Sequence, residues 1–398
     1  MRIGRLLAAV TASALTFTSL AGGVSAAVPR QASNAVPVCP GPAQAGSARC
    51  HSYVVVGANG KPIVTNTTVN GYRAADLEGA YGLVAAAAAA GAGVTIAIVD
   101  AYNDPNAAKD LAVYRSTMGL PPCGSAGGCF RQVGQNGGSK LPRTNSGWAL
   151  EISLDLDMAS AICPNCALLL VEASSNSFAD LGAAEDYAAA HASVVSNSWG
   201  ASEFSGETGG AYDGHFDHPG VVITVSSGDN GYGVEYPAAS QYVTAVGGTT
   251  LDWDAASKTR VSETAWSGAG SGCSAYEAKP AWQSGIADCP RRAVTDVSAV
   301  ADPNTGVAVY DTVRYNGQSG WFKVGGTSAA APIVAGAYAL AGNASAVTFG
   351  SYPYSHTSAL NDITSGSNGS CGGADLCTAG TGWDGPTGNG TPNGTGAF

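Results

Sequence analysis

Short apolar runs of strand length alternate with helix-length stretches along most of this chain, and that alternation restricts it to folds built on a parallel sheet. Val94–Asp100, Ala167–Ala173, Val194–Trp199 and Val221–Ser226 are near-continuous apolar runs. Such runs suit strands buried on both faces. Between them, Pro105–Met118, Trp148–Cys163 and Phe178–Ala190 read as helices, the first with Pro in its opening turn. An Ala-rich helix is predicted over Ala329–Ala341. Strands alternating with helices give an α/β fold, a mostly parallel sheet with helices on both faces. The close spacing predicts one domain over residues 74–398, without internal repeats.

Charge narrows the partners. The chain has 398 residues, a net charge of -11 and only 12% charged residues. An acidic surface repels nucleic acid and anionic membrane, so neither is expected as a partner. Few fixed positive charges also mean little self-repulsion once carboxylates are protonated, which is compatible with work in acid. Arg2 and Arg5, the apolar stretch Leu6–Leu20 and the small residues Val24-Ser25-Ala26 read as a signal peptide over residues 1–26, cleaved before Ala27. Residues 27–73 read as a short pro-segment or N-terminal tail. The ten cysteines form five close sequential pairs: Cys39 with Cys50, Cys123 with Cys129, Cys163 with Cys166, Cys273 with Cys289 and Cys371 with Cys377. In an exported chain these are expected to be disulfides. Cys163-Pro-Asn-Cys166 has no second CxxC or His pair to complete a zinc set. The expected location is extracellular.

Gly325-Gly-Thr-Ser328-Ala-Ala-Ala-Pro332 is the most specific string in the chain. Its glycines permit a tight turn, and Ser328 then opens a helix whose free N–H groups face any oxyanion formed there. A Ser opening a helix is otherwise an ordinary N-cap. A serine nucleophile needs a proton acceptor. There are five histidines, His51, His191, His215, His218 and His356, and none is followed by Gly-Thr as in the subtilisins. Glu151-Ile-Ser-Leu-Asp155 instead stacks two acids one helical turn apart. Two acids held close share a proton, so such a pair can take the Ser proton in acid, with Glu151 as base and Asp155 orienting it. Asp157 falls on another face and reads as structural. Asp229, in Ser227-Gly-Asp229-Asn-Gly231, follows a strand at its carboxyl end, where α/β proteins place functional residues. When protonated it can donate to an oxyanion.

Together these residues resemble the sedolisin family of serine-carboxyl peptidases. The resemblance is carried by Glu151-x-x-x-Asp155, Ser196-Asn-Ser-Trp-Gly200, Ser227-Gly-Asp229, Tyr236-Pro-Ala-Ala-Ser240, Val246-Gly-Gly-Thr249 and Gly325-Gly-Thr-Ser328, over residues 74–398. It implies a subtilisin-like fold, with Ser328 as nucleophile, Glu151 as base, Asp155 as its partner and Asp229 as oxyanion donor. It implies a secreted endopeptidase, or a tripeptidyl-peptidase, acting at low pH on protein or peptide, and a monomer is expected. It further implies one structural Ca2+ held by the side chains of Asp362 and Asp384 and the carbonyls of Ile363, Gly380 and Gly382, oxygen donors of the kind calcium favours. An extended peptide is expected to pair with backbone near Ser196–Gly200 and Gly247–Thr249. Two departures stand out. Residues 27–73 take the place of the family's long folded pro-domain, and Asp100 lies where subtilisins carry their catalytic Asp, here without the matching His. The competing readings are a His-dependent subtilisin and a non-catalytic binding protein on the same fold. A lipase is disfavoured, because no Gly-x-Ser-x-Gly elbow joins a strand to a helix.

Overall fold

The computed structural model describes residue 1 and residues 34–124, 128–371 and 374–398. The signal-peptide reading therefore lies outside the described residues. The predicted strands form the centre of the molecule. In spatial order the main sheet runs Thr259–Ala265, Thr244–Asp254, Val222–Ser226, Val194–Asn197, Thr95–Ala101, Ala167–Ala173, Phe130–Gly134. All neighbours in this row are parallel except the hairpin of Thr244–Asp254 with Thr259–Ala265. Every residue from Ile96 to Ala101 and from Leu168 to Ala173 is buried. Since successive side chains point to opposite faces, both faces are covered.

The chain places strand 130–134 two positions from strand 95–101, inserts 167–173 between them, then crosses to the far side with 194–197. Such a reversal opens a crevice at the carboxyl ends of the strands. Asp100, Asn197 and Ser226 sit at those ends.

Two long helices line one another beneath the crevice. Ser146–Ile162 is capped by Asn145, whose Oδ1 accepts from the N–H groups of Gly147 (3.0 Å) and Trp148 (3.2 Å). From Gly147 to Ile162 it is buried all round, so its acids are held in the interior. Thr327–Ala341 packs against it. A Cβ at Gly336 would stand 2.6 Å from the Ile162 side chain, so glycine is what lets the two helices approach. Pro332 lacks an N–H, which leaves the carbonyl of Ser328 without its helical donor, and the Ser198 hydroxyl approaches it at 3.3 Å.

The segment before residue 74 lies along this body. Asn34–Pro37 pairs with Tyr53–Val56, which pairs with Gln318–Gly325, itself hairpinned to Val307–Tyr315. Arg49–Cys50 pairs instead with Trp199–Ser202. Residues 47–56, here called the strap, thus bridge two sheets. All five expected disulfides are present, and Cys39–Cys50 ties the strap to the segment just after strand Asn34–Pro37.

Candidate active site

Ser328 occupies the second position of its helix, after Gly326 with φ 103°. That angle belongs to glycine, and a Cβ there would collide with the His51 carbonyl and press on Asp229 Oδ2. The Ser328 N–H donates to the carbonyl of His51 at 3.0 Å. Its hydroxyl donates to the carbonyl of Ser198 at 3.3 Å.

Glu151 and Asp155 project from one face of the acid-bearing helix and are wholly buried. Burial pushes Glu151 up to about 8, against the hydroxyls of Ser328 and Ser52, while the charge of Asp229 adds to the rise. Ser52 donates a very short hydrogen bond to Glu151 Oε2. Asp155 accepts from the Ser198 hydroxyl at 2.9 Å. It too is raised, by burial and then by the charges of Asp100 and Glu151. Asp100 is buried and raised by burial and by Glu151 and Glu172. Three carboxyls therefore share this interior, and Asp100 belongs electrostatically to the pair predicted from sequence. Asp157 faces away and accepts from the Tyr310 N–H at 3.0 Å.

Asp229 follows strand 222–226, where Gly228 (φ 113°) turns the chain. Its Oδ1 accepts from both the N–H and the hydroxyl of Thr327, each at 2.8 Å. Its Oδ2 is buried and has no partner among the described residues. Burial raises Asp229 to about 6, offset in part by the charge of His51 and the Thr327 bonds. The His51 carbonyl and Asp229 Oδ2 both border the space a Gly326 side chain would fill. The Ser328 N–H and Asp229 Oδ2 thus flank one peptide carbonyl, that of His51, while Glu151 holds the next residue, Ser52, and Asp155 lies behind on Ser198.

The histidines serve elsewhere. The His51 ring bonds Ser226 Oγ (2.8 Å) and Glu235 Oε2 (2.8 Å). His215 and His218 face Asp186, while His191 and His356, just past helix ends, bond carbonyls four residues back. None of these partners is Ser328.

Sequence reasoning placed His51, Ser52, Ser226 and Glu235 in no site. The adjacency of a buried Cys50 to His51-Ser52 was the one local signal available. Two further expectations change in detail. The run Val194–Trp199 is broken at Ser198, whose hydroxyl turns to Asp155 and whose carbonyl accepts the His51 N–H. Residues 247–249 do not offer a free edge: Val246–Thr249 pairs with Val297–Val300 on one side and Gly248 accepts from the Trp266 N–H.

The two acids expected to bind calcium, Asp362 and Asp384, both meet one glycine loop. Asp362 Oδ2 accepts from the Gly382 N–H at 2.9 Å and Asp384 Oδ2 from the Gly380 N–H at 3.1 Å. Burial, with the Asp362 charge as a lesser contributor, raises Asp384 to about 7. Two carboxylates on one loop are oxygen donors of the kind a hard cation takes. A second acidic group, Asp104, Asp110 and Asp311, has carboxylate oxygens within 4.8 Å of one another and could also hold a metal ion.

The subtilase family model matches residues 143–351, over half of the chain. The sedolisin of Pseudomonas sp. (strain 101) is 36% identical over 204 residues, 43% of this chain and 33% of that protein. The kumamolisin of Bacillus sp. (strain MN-32) is 32% identical over 282 residues, 61% of this chain and 49% of that protein. The chain thus spans a third to a half of the length of these relatives. The solved structure of Pseudomonas sedolisin, a serine-carboxyl proteinase complexed with two molecules of pseudo-iodotyrostatin, superposes with a TM-score of 0.69 at 29% identity, covering 82% of this chain and 96% of that one. The subtilisin-like sheet, the motif order and these matches agree: the chain belongs to the subtilase family, in its sedolisin branch.

Proposed function

We propose that this chain is a secreted serine-carboxyl peptidase that hydrolyses peptide bonds in acid through Ser328, Glu151, Asp155 and Asp229. The observation that supports this reading best is the His51 carbonyl, which receives the Ser328 N–H beside the free oxygen of Asp229. A substrate carbonyl in that place would be attacked by Ser328 Oγ. Glu151 accepts the hydroxyl proton in its ionised form. With Ser52 on it and water excluded, burial holds it protonated up to about 8, so a substrate that displaces Ser52 and admits water must first lower it. Asp155, steadied by Ser198, carries the pair's one proton. As the carbonyl oxygen becomes an oxyanion, the Ser328 N–H and a protonated Asp229 hold it. Glu151 then returns the proton to the leaving amine, and water repeats the cycle on the acyl-enzyme. The anionic chain, with five disulfides, suits extracellular work on protein or peptide. Endopeptidase action fits a cleft that accepts a strand running through it.

Asp362, Asp384 and the carbonyls of Ile363, Gly380 and Gly382 would hold one structural Ca2+. A bound cation there would neutralise the two acids and fasten the C-terminal loop. The first test is turnover of a denatured protein at pH ~4. Hydrolysis by the wild type and none by Ser328→Ala is expected; equal rates in both would remove Ser328 from the chemistry, and no hydrolysis by either would favour a binding protein.

A further inference from the structure

The strap crosses the cleft in the manner of a substrate. Arg49 and Cys50 pair antiparallel with Gly200 and Trp199, and the His51 N–H continues the ladder to the Ser198 carbonyl at 3.1 Å. The His51 carbonyl then takes the Ser328 N–H, and Ser52 follows with its hydroxyl on Glu151. His51 therefore has the backbone placement of the residue whose carbonyl is attacked, and its side chain reports what the adjoining pocket accepts.

That side chain is enclosed. Nε2 meets Glu235 Oε2 at 2.8 Å and Nδ1 meets Ser226 Oγ at 2.8 Å. A Cβ at Gly200 would stand 2.7 Å from the ring, so glycine there keeps the pocket open. A carboxylate accepts only, so the ring must present an N–H to Glu235. Glu235 is buried, and Asn230 Nδ2 fixes its other oxygen at 2.8 Å. Although burial works to raise it, the charges of His51 and Arg49 and the bonds from His51 and Asn230 hold Glu235 down at about 2. Both basic neighbours, His51 and Arg49 (3.8 Å), come from the strap itself. With the strap displaced, Glu235 keeps Asn230 and loses both of its basic neighbours. A carboxylate set in a pocket wall without a counter-charge is satisfied by a proton or by an incoming cation, and a cationic side chain in the place of His51 restores the pairing.

We infer that Glu235, backed by Ser226, is a specificity-determining residue that selects substrates with a cationic side chain (His, Lys or Arg) at the residue whose carbonyl is cut. This rests on the peptidase reading above and names the substrate class for that same site. The strap is the pocket's internal occupant, held by the contact the substrate would use.

The test uses the full chain and short peptides at pH ~4 that differ only at the residue before the cut: His, Lys, Arg, Leu, Tyr or Glu. The wild type is expected to prefer the cationic peptides over Leu by at least ~10-fold in kcat/KM. Glu235→Gln should erase that preference by raising KM for the cationic peptides. His51→Ala, which vacates the pocket, should raise the initial rate on added cationic peptide by ~10-fold. The wild-type preference needs no variant, so a misfolded substitution does not spare the proposal. Preference for Leu or Tyr, unaltered in Glu235→Gln, would overturn the assignment and leave the peptidase reading standing. No turnover of any peptide by wild type or His51→Ala would overturn both.

Discussion

Asp229 has one oxygen tied to Thr327 and one left open, and this asymmetry fixes how it can act. It stabilises an oxyanion only while it carries a proton, and burial extends that range to about pH 6. Activity should therefore fall as pH rises through about 6. Asn in its place would accept from Thr327 and donate from Nδ2 at every pH. Asp229→Asn is expected to be slower than wild type in acid, with the fall above pH 6 flattened; a pH–rate profile of kcat/KM checks this. The placement of Ser328, Glu151, Asp155 and Asp229 was legible because residue type and spacing carry it: two acids four apart on a helix must share a face. Glu235 was not, because its meaning depends on meeting His51, 184 positions away in the chain.

At the scale of elements, the apolar runs announced the central strands within a residue or two, since burial on both faces leaves few polar side chains. The strap left no such signature. Its strands are two and four residues long, set among Pro, Gly and Ser, and their pairing is with sheet edges built much later in the chain. The Cys39–Cys50 disulfide closes an 11-residue separation and restricts the undocked strap. Replacing both cysteines with Ser should loosen it. The initial rate on added peptide is then expected to rise by ~10-fold, a change of about 1.4 kcal/mol in strap docking. An unchanged initial rate would mean that the sheet pairings alone set the strap's hold.

The whole molecule buries an unusual set of acids. Asp104 is raised to about 7 and Glu172, Glu185 and Asp311 to about 8, in each case first by burial. In the unfolded chain such groups titrate near ~4. The folded state thus holds their protons more tightly. Their contribution to stability is complete below about pH 4 and is lost as pH rises through the 7–8 range. Glu235 runs the other way: its contribution is present above the ordinary carboxylate range and is lost as pH falls through about 2. With only 18 Lys and Arg residues, the chain also accumulates little positive charge in acid. Thermal unfolding should show a higher Tm at pH ~4 than at pH ~8; a higher Tm at pH 8 would contradict this account of the buried acids.

The central claim is that a carboxylate, and not an imidazole, takes the proton from Ser328. The most direct measurement is kcat/KM of Glu151→Gln against pH, beside the wild type, on one peptide. The account predicts a wild-type maximum in acid and a loss of ~10³-fold in the variant across the profile. A variant retaining near wild-type rates, with a maximum near neutral pH, would contradict it.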